Sequence, residues 1–596
     1  MWKPIIGTGI FEGIFYDLVG YYEYRFNRDI GREVKYEKVS DYQTIDPIYD
    51  KIYLPKYIRY LMLLPITSRL SEIRQLAHTY LFLPGASHSR LEHSIGVMYR
   101  STKILKKLKR EYKLKIEQND ELIIQIASLL HDLGHPAWGH ALDGITGYVV
   151  DLLKELKFFH LFSPKKLDIA ITIYLLLENE QIKRALETCY YREKANDQQL
   201  HTPEKFIKFI AQIIAEEEFP LFSDLSDKDI LRRAHLLTTI IGQYEKRGGV
   251  NTDRLDWMIR DSHHAGILKK LSDEQQEQFI QFMQQNKNDS FQIKCHNGEY
   301  LDIDQDFKKL MDSLRKKIYK IVYEGLERSL IDSLLTRLAY TVIDIISQVG
   351  DQIASYSTKI KAVMGYLLMQ DFLMKEYTNR ILSIAKGYSH LLMGDDKYRE
   401  FVNKSANLID FFDYLPCIID VLENNVQRIH NPKINMSFDC VNLDVYDKTI
   451  LIVSSQTLSE ILKRVLQNTK MKKEVALTNI YNLISASRSD IYLTLDIPLL
   501  EYNIQKDINE HIHNLNCHVL ANYYFFRRID SDFRDIKTLN DLYRYLEGKD
   551  MEKTPYLFII FDRALESDEE RNKVTEIIFN QIFMYFLPIF HQIDSK

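Results

Sequence analysis

The most regular signal in the chain is a helical alternation of apolar and polar positions from residue 46 to about residue 384. Residues 91–110 (LEHSIGVMYRSTKILKKLKR) set Ile95, Met98, Leu105 and Leu108 near one stripe with Lys and Arg opposite, which predicts an amphipathic helix. Residues 121–132 (ELIIQIASLLHD) are apolar nearly all round, as a buried central helix requires. Residues 329–349 predict another amphipathic helix. Residues 251–261 (NTDRLDWMIRD) follow Gly248 and Gly249 and predict a helix capped by Asn251 or Thr252. Residues 1–45 are mixed and Tyr-rich, without a clear period. After about residue 387 the pattern changes. Residues 411–447 are loop-like. Short β-rich runs follow at 449–455 (TILIVSS), 490–497 (DIYLTLDI), 517–526 (CHVLANYYFF) and 556–561 (YLFIIF), with helical runs at 458–466 and 538–546. The expected organisation is an N-terminal segment 1–45, a helical core 46–386, a connecting region 387–446 and a C-terminal α/β or α+β domain 447–596. The fold class is mostly α.

Composition narrows this. The 596 residues leave room for up to about four domains, or for one large helical unit with an appendage. Gly (22) and Pro (14) together reach about half of their usual share of roughly 12%, which disfavours a turn-rich all-β fold. The net charge of -5 gives no global positive field for nucleic acid. The basic run KILKKLKREYKL at 103–114 reads as a solvated helix face. Cysteines at 189, 295, 417, 440 and 517 form no CxxC pair, against a disulfide scaffold or a cysteine zinc site. The N-terminus lacks a signal-peptide pattern, and no run approaches ~18 uninterrupted apolar residues. The most apolar tail, 577–590, is broken by Asn580, Gln581 and Pro588 and reads as a packed helix. The expectation is a cytoplasmic protein without a membrane span.

Chemistry concentrates in one place. His131 and Asp132 end the hydrophobic helix, and Gly134, His135, Pro136, Gly139 and His140 follow. Three histidines and an aspartate so close to a buried helix all need partners. At helical spacing His131 and His135 share a face. His93, in SHSRLEHS, and Asp253, in NTDRLDW, have the same character at two helix starts. Together His93, His131, Asp132 and Asp253 offer two imidazoles and two carboxylates, a set for one divalent metal (Mn, Fe, Mg or Zn).

H…HD…D is the signature of the HD phosphohydrolase superfamily. The blocks DPIYDKIYLP, RLSEIRQL, YLFLPGASHSRLEHSIGV, ASLLHDLGHPAWGHALD and DRLDWMIRDSHHAGI resemble the deoxynucleoside triphosphate triphosphohydrolases (dNTPases, including dGTPases) over about residues 46–349. The resemblance implies hydrolysis of a dNTP to deoxynucleoside and inorganic triphosphate, by attack on the α-phosphorus. It implies that His135 and His140 are catalytic-pocket histidines, one orienting or deprotonating the nucleophile and the other protonating the departing O5′. It assigns phosphate contacts to Arg90 and Arg254. It places Gln75 and Leu76 against the deoxyribose, Asp261 at the 3′-OH, and Trp257 where the family has a Tyr beside the sugar. Arg315, Tyr319 and Tyr323, at i, i+4 and i+8, match positions that meet phosphate and sugar, with Tyr319 in place of a His.

The chain departs from that pattern in three places. No His-Glu step follows the HD block, where the stretch reads FFHLFSPKKLDIAI and His160 is the candidate substitute for the missing histidine. The guanine-reading regulatory positions fall on LLPITSRLS, where Leu63, Ser68 and Ser71 supply no matching charge. The C-terminal region has no counterpart, which leaves it for assembly, a regulatory nucleotide or a protein partner. The resemblance also implies a homo-oligomer, with dNTP depletion serving pool control or antiviral defence. Two rivals are another HD phosphohydrolase, acting on nucleoside monophosphates or cyclic nucleotides, and a non-catalytic nucleotide-sensing HD scaffold. The several arginines disfavour the first and the full ligand set disfavours the second.

Overall fold

The computed structural model describes residues 8–27, 34–111, 119–154, 166–195, 197–216, 220–242, 251–267, 313–323, 325–392, 395–422, 425–443, 447–454, 497–521 and 555–591, with a few single residues between them. The fold is mostly α, with a smaller C-terminal sheet.

Residues 1–45, expected to lack a period, hold helix α1 (Thr8–Tyr22). It buries Phe11, Ile14, Phe15, Leu18 and Tyr22, spaced as one helical stripe. Exposed Ile10 and Tyr16 blur the opposite face and hid that stripe. A hairpin of β1 (Tyr42–Asp46) and β2 (Asp50–Leu54) then precedes the helical core. Its turn is closed by Asp46, whose Oδ1 accepts from the amides of Ile48 and Tyr49.

Helix α2 (Arg90–Glu111) packs on α3 (Asp120–Leu130), and a hydrogen bond of 2.7 Å joins Ser101 Oγ to Ser128 Oγ between them. Helix α3 is buried from Ile123 to Leu130, as its all-round apolar sequence predicts. On the basic run of α2, Lys106 pairs with Glu121 at 2.7 Å and Lys103 lies over the Tyr99 ring. Helix α4 (Leu167–Glu178) lies against the turn that follows α3, and α5 (Thr252–His264) crosses the start of α2. Asn251 is the cap of α5: its side chain accepts from the amide of Arg254 at 2.7 Å. The Thr252 hydroxyl donates to the Ile240 carbonyl instead.

Helix α6 (Leu326–Ile353) corrects an expectation. It is not amphipathic but buried on every face through its middle. Its polar residues pair inside the protein, as in the Arg328 Nε–Asp332 Oδ2 bond of 2.7 Å, so they mimic a wet face without being one.

Residues 411–447 are also not loop. They include the end of α7 (Asp396–Asp413), α8 (Leu415–Leu422), β3 (Val426–Asn431) and β4 (Met436–Leu443). The edge strand β3 is mostly exposed, so its sequence carries no alternation to read. With β5 (Lys448–Ser454), β6 (Cys517–Ala521) and β7 (Pro555–Phe561) the sheet runs β3-β4-β5-β7-β6, every pairing antiparallel. That selects α+β over α/β. The run at 490–497 lies outside the described residues except Ile497, which opens helix α9 (Ile497–His511). The runs at 522–526 and 538–546 also lie outside them. The apolar tail belongs to α10 (Asp568–His591), which packs Val574, Ile577, Ile578 and Ile582 inward. No described helix is long and apolar enough to cross a membrane. Cys189, Cys440 and Cys517 are free thiols, all buried.

The sheet unit is tied to the core through Arg337 of α6. Its guanidinium is bidentate to Glu501 of α9 and donates to the Val519 carbonyl of β6 at 2.9 Å. The amide of Val519 returns a bond to Glu501 Oε2 at 2.6 Å.

Candidate functional site

Three helix ends meet at one point. His93 stands in the first turn of α2, His131 and Asp132 in the turn after α3, and Asp253 in the first turn of α5. Close contact between α2 and α5 is possible because residue 96 is glycine. A Cβ there would lie 2.1 Å from Asp256 Oδ1 and 2.6 Å from Arg260 Nη2. His93 Nε2 is 3.0 Å from Asp253 Oδ1 and 3.8 Å from Asp132 Oδ2. His131 Nε2 is 3.3 Å from Asp132 Oδ1 and 3.6 Å from Asp253 Oδ1. The ligating atoms of His93, His131 and Asp132 all lie within 4.8 Å of one another.

The other ring nitrogens set the tautomers. His131 Nδ1 is 2.7 Å from the Ser128 carbonyl, which only accepts, so Nδ1 carries the proton. His93 Nδ1 likewise faces Asp256 Oδ2 at 2.9 Å. Both Nε2 atoms point into the cluster: His131 Nε2 is buried without a hydrogen-bond partner, and His93 Nε2 faces Asp253 Oδ1. That is the arrangement of metal-binding histidines, held by a carboxylate or carbonyl behind the ring. The donor set fits a divalent cation.

Charge agrees. Burial works against a proton on His93, yet Asp253, Asp256 and Asp132 outweigh it and lift its pKa to about 10. Burial likewise opposes charge on His131, and Asp132 and Asp253 lift it. Burial alone would raise Asp132 and Asp253, but the histidines beside them hold both below the carboxylate range. Asp256 is held low by Arg260, whose Nε bonds it at 2.9 Å, and by His93. The cluster is a negative field that draws positive charge.

On the far side of Asp132 the expected helical face for His131 and His135 is not found. Helix α3 ends at Leu130, and residues 131–134 form a turn. The two rings instead approach Asp132 Oδ1 from either side, His135 Nδ1 at 3.2 Å. Arg69 braces this turn by donating to the carbonyls of Leu133 and His135. Burial and Arg90 hold the His135 pKa down. The His140 ring meets His135 edge-on at 5.1 Å, and its Nδ1 is 3.1 Å from Asp143 Oδ2.

The residues matched to phosphate and sugar largely gather beside this cluster. Arg90 Nη1 donates to Asp132 Oδ2 at 3.0 Å and Nη2 to the Gln75 carbonyl at 3.4 Å, while Nε has no protein partner among the described residues. Leu76 packs with Ala86, Ile318 and Val322, and Trp257, Tyr319 and Tyr323 border that apolar patch. Asp261, fully buried, bonds His88 Nε2 at 2.7 Å and accepts from the Tyr323 hydroxyl. Arg254 is half-buried on α5. Arg315 is exposed and covers the Tyr319 ring at 5.1 Å. The i, i+4, i+8 spacing of Arg315, Tyr319 and Tyr323 is not that of a regular α-helix throughout: Tyr319–Tyr323 is a π-helical turn. The two tyrosine rings still meet at 5.2 Å.

Sequence reasoning missed Asp256, Asp168 and His88. Asp256 lies three residues after Asp253, one turn along the same helix, and that spacing was its signal. Asp168 lies within the FFHLFSPKKLDIAI stretch, which showed no His-Glu step. His160 of that stretch lies outside the described residues.

The comparisons agree with this geometry. A family model described as HD domain matches residues 90–210. "Deoxynucleoside triphosphate triphosphohydrolase SAMHD1" of Gallus gallus is 31% identical over 231 residues, 37% of this chain and 34% of that protein. The Homo sapiens protein of the same name is 28% identical over 338 residues, 56% of this chain and 50% of its own. The homolog of Dictyostelium discoideum is 28% identical over 242 residues, 39% of each. The chain spans between a third and about half of the length of these curated relatives. Residues 90–210 match the HD domain, and part of the chain is similar to proteins named deoxynucleoside triphosphate triphosphohydrolase.

Proposed function

We propose that this chain hydrolyses deoxynucleoside triphosphates to deoxynucleoside and inorganic triphosphate. The observation that carries the reading is the convergence of His93, His131, Asp132 and Asp253 with both Nε2 atoms turned inward. These four residues would hold one divalent cation, which when bound polarises a phosphoryl oxygen and lowers the pKa of water. Asp256 and the Ser128 carbonyl orient the two imidazoles. Of His135 and His140, one orients or deprotonates the attacking water and the other protonates O5′. Arg90, Arg254 and Arg315 neutralise the phosphates, for which a guanidinium fork is suited. Gln75 meets the sugar, and Asp261, held by His88 and Tyr323, takes the 3′-OH. Leu76 and the walls from Trp257, Tyr319 and Tyr323 would leave a ribose 2′-OH unpaired, which favours the deoxy sugar.

On the same reading the chain assembles with copies of itself in the cytoplasm, and the C-terminal sheet unit takes a regulatory nucleotide or partner. The biological setting is dNTP pool control or antiviral defence. The test is a panel of each dNTP, alone and in pairs, with Mn²⁺-loaded protein and chromatographic resolution of products. Deoxynucleoside with intact triphosphate is the expected result. Pyrophosphate or orthophosphate alone would assign another HD phosphohydrolase chemistry, and no turnover of any dNTP would favour the scaffold. Light scattering of the same sample reads the assembly.

A further inference from the structure

Behind His93 lies an outer layer of polar groups, part of which comes from the β1–β2 hairpin. Its centre is the Asp256 carboxylate, which is fully buried and takes four donors. Oδ2 accepts from His93 Nδ1 at 2.9 Å and from Arg260 Nε at 2.9 Å. Oδ1 accepts from the Tyr49 hydroxyl at 2.5 Å and from Arg260 Nη2 at 3.2 Å. Tyr49 belongs to the hairpin turn, far from His93 along the chain.

The direction of these bonds is fixed. The Tyr49 hydroxyl also receives the N–H of Arg100 Nε, and a guanidinium only donates, so the one phenolic proton goes to Asp256. A second route starts from Asp46. Its Oδ1 closes the turn on the amides of Ile48 and Tyr49, and its Oδ2 is 2.9 Å from Arg260 Nη1. The turn that aims Tyr49 at Asp256 thus also holds Arg260. Asp46 and Asp256 face Arg260 and Arg100, two charges against two, so the layer adds no net charge to the cluster. Docking the hairpin does not require it either, since Ile48, Ile52 and Leu54 are buried for that purpose. Apolar side chains in place of buried ion pairs would serve docking as well. What the layer does set is geometry. With four donors on it the Asp256 carboxylate has one orientation, and that orientation fixes the His93 ring.

We propose that Tyr49 and Asp46 are positioning residues for His93, acting through the Asp256–Arg260 pair. The hairpin turn latches the imidazole in the orientation that presents Nε2 to the cation. Neither residue is a ligand. Both act on metal affinity by keeping the ring from turning, and the hairpin folds without them. This deepens the reading above: it rests on His93 holding the cation, not on which substrate is cleaved.

The test is the Mn²⁺ affinity of the full chain, stripped with chelator and titrated calorimetrically. Tyr49→Phe removes the hydroxyl and keeps the ring, which lies 5.2 Å from that of Tyr99. It should weaken Mn²⁺ binding about tenfold, the lower end for a group behind a metal ligand, while the chelated variant melts with the chelated wild type. Asp46→Asn keeps an oxygen for the turn amides, loses the charge facing Arg260 and should also weaken binding. In an Asp256→Ala background Tyr49→Phe should weaken binding no further, because the carboxylate it acts through is gone. Unchanged affinity in either single variant overturns the proposal. So does an equal further loss in the Asp256→Ala background, or a loss matched by a fall in chelated stability. If Asp256→Ala does not fold, by circular dichroism, the affinities and melting of the two single variants decide alone. A wild-type chain that binds no Mn²⁺ overturns the cation reading and this one with it. Failure to cleave any dNTP leaves the affinities untouched, so the two readings fail separately.

Discussion

Two buried charged sets in this chain are finished in opposite ways. At the junction of α6 with the sheet unit, Arg337 spends all its donors: Nε on Ser405 Oγ, Nη1 on Glu501 and the Val519 carbonyl, Nη2 on Glu501 and the Phe401 carbonyl. Glu501 takes the Val519 amide as well. At the histidine–aspartate cluster, by contrast, the backs of the rings are tied, the front of His131 is left open, and the front of His93 meets only the Asp253 carboxylate. Both sets are largely buried and both are costly to assemble. The first is a closed joint, which holds two parts of the fold together. The second keeps lone pairs in reserve, and unspent coordination capacity in a buried place marks a site for something that arrives later.

The contrast can be tested at its strongest first. His131→Ala and Asp132→Ala should each reduce dNTP hydrolysis to the level of buffer alone and lower bound Mn²⁺, while chelated variant and chelated wild type melt within a few degrees of each other. A large loss of stability in the chelated state would mean that the cluster is a joint after all. Glu501→Ala should do the reverse. Stranding Arg337 in the interior should cost about 3–5 kcal/mol in denaturant titration. The paired replacement Arg337→Met with Glu501→Leu should recover most of that, because neither charge is then left alone. Asp256→Asn tests the tie behind His93. It should weaken Mn²⁺ binding by about 10–100-fold, with little effect on the unloaded fold.

The smallest effect is a pH dependence of the junction. Burial holds the His518 pKa down to about 3, so below its ordinary value of about 6.5 the unfolded chain takes a proton that the folded chain refuses. Burial alone would raise Glu501, but Arg337 and Lys404 outweigh it and hold the carboxyl below its ordinary value. The unfolded state therefore binds more protons at both positions. Stability from both is complete above about pH 6.5 and falls on acidification, first through His518 and below about pH 4.3 through Glu501. Replacing His518 by Asn should flatten the upper part of that decline in urea titrations run from pH 7 to pH 5. An unchanged slope would show that His518 is not a proton-excluding group.

How much of this was legible in the sequence follows from how local each signal is. His93, His131, Asp132 and Asp253 each stand at a helix end with a recognisable neighbourhood, and short motifs carry that well. Asp256 was one helical turn away and looked like any polar residue on α5. Asp168 was harder. It opens an apolar helix, and its nearness to His135 depends on a turn-to-helix contact that only the folded chain makes. The same holds for the fold. The strands β5 and β7 are buried runs and could be read, whereas the exposed edge β3 and the stripe of α1, masked by tyrosines, could not. Helix α6 misled because internal ion pairs have the same alphabet as a wetted surface.

Gly96 has a consequence of its own. The crossing of α2 and α5 rests on a position with no side chain, and the gap there is narrower than a methyl group. The room for the Asp256–Arg260 pair between the His93 and Asp253 helices is thus gauged by one hydrogen atom. Even an alanine would act as a shim, pushing aside the Asp256 carboxylate and the Arg260 guanidinium and so loosening the support behind His93 while leaving each ligand chemically intact.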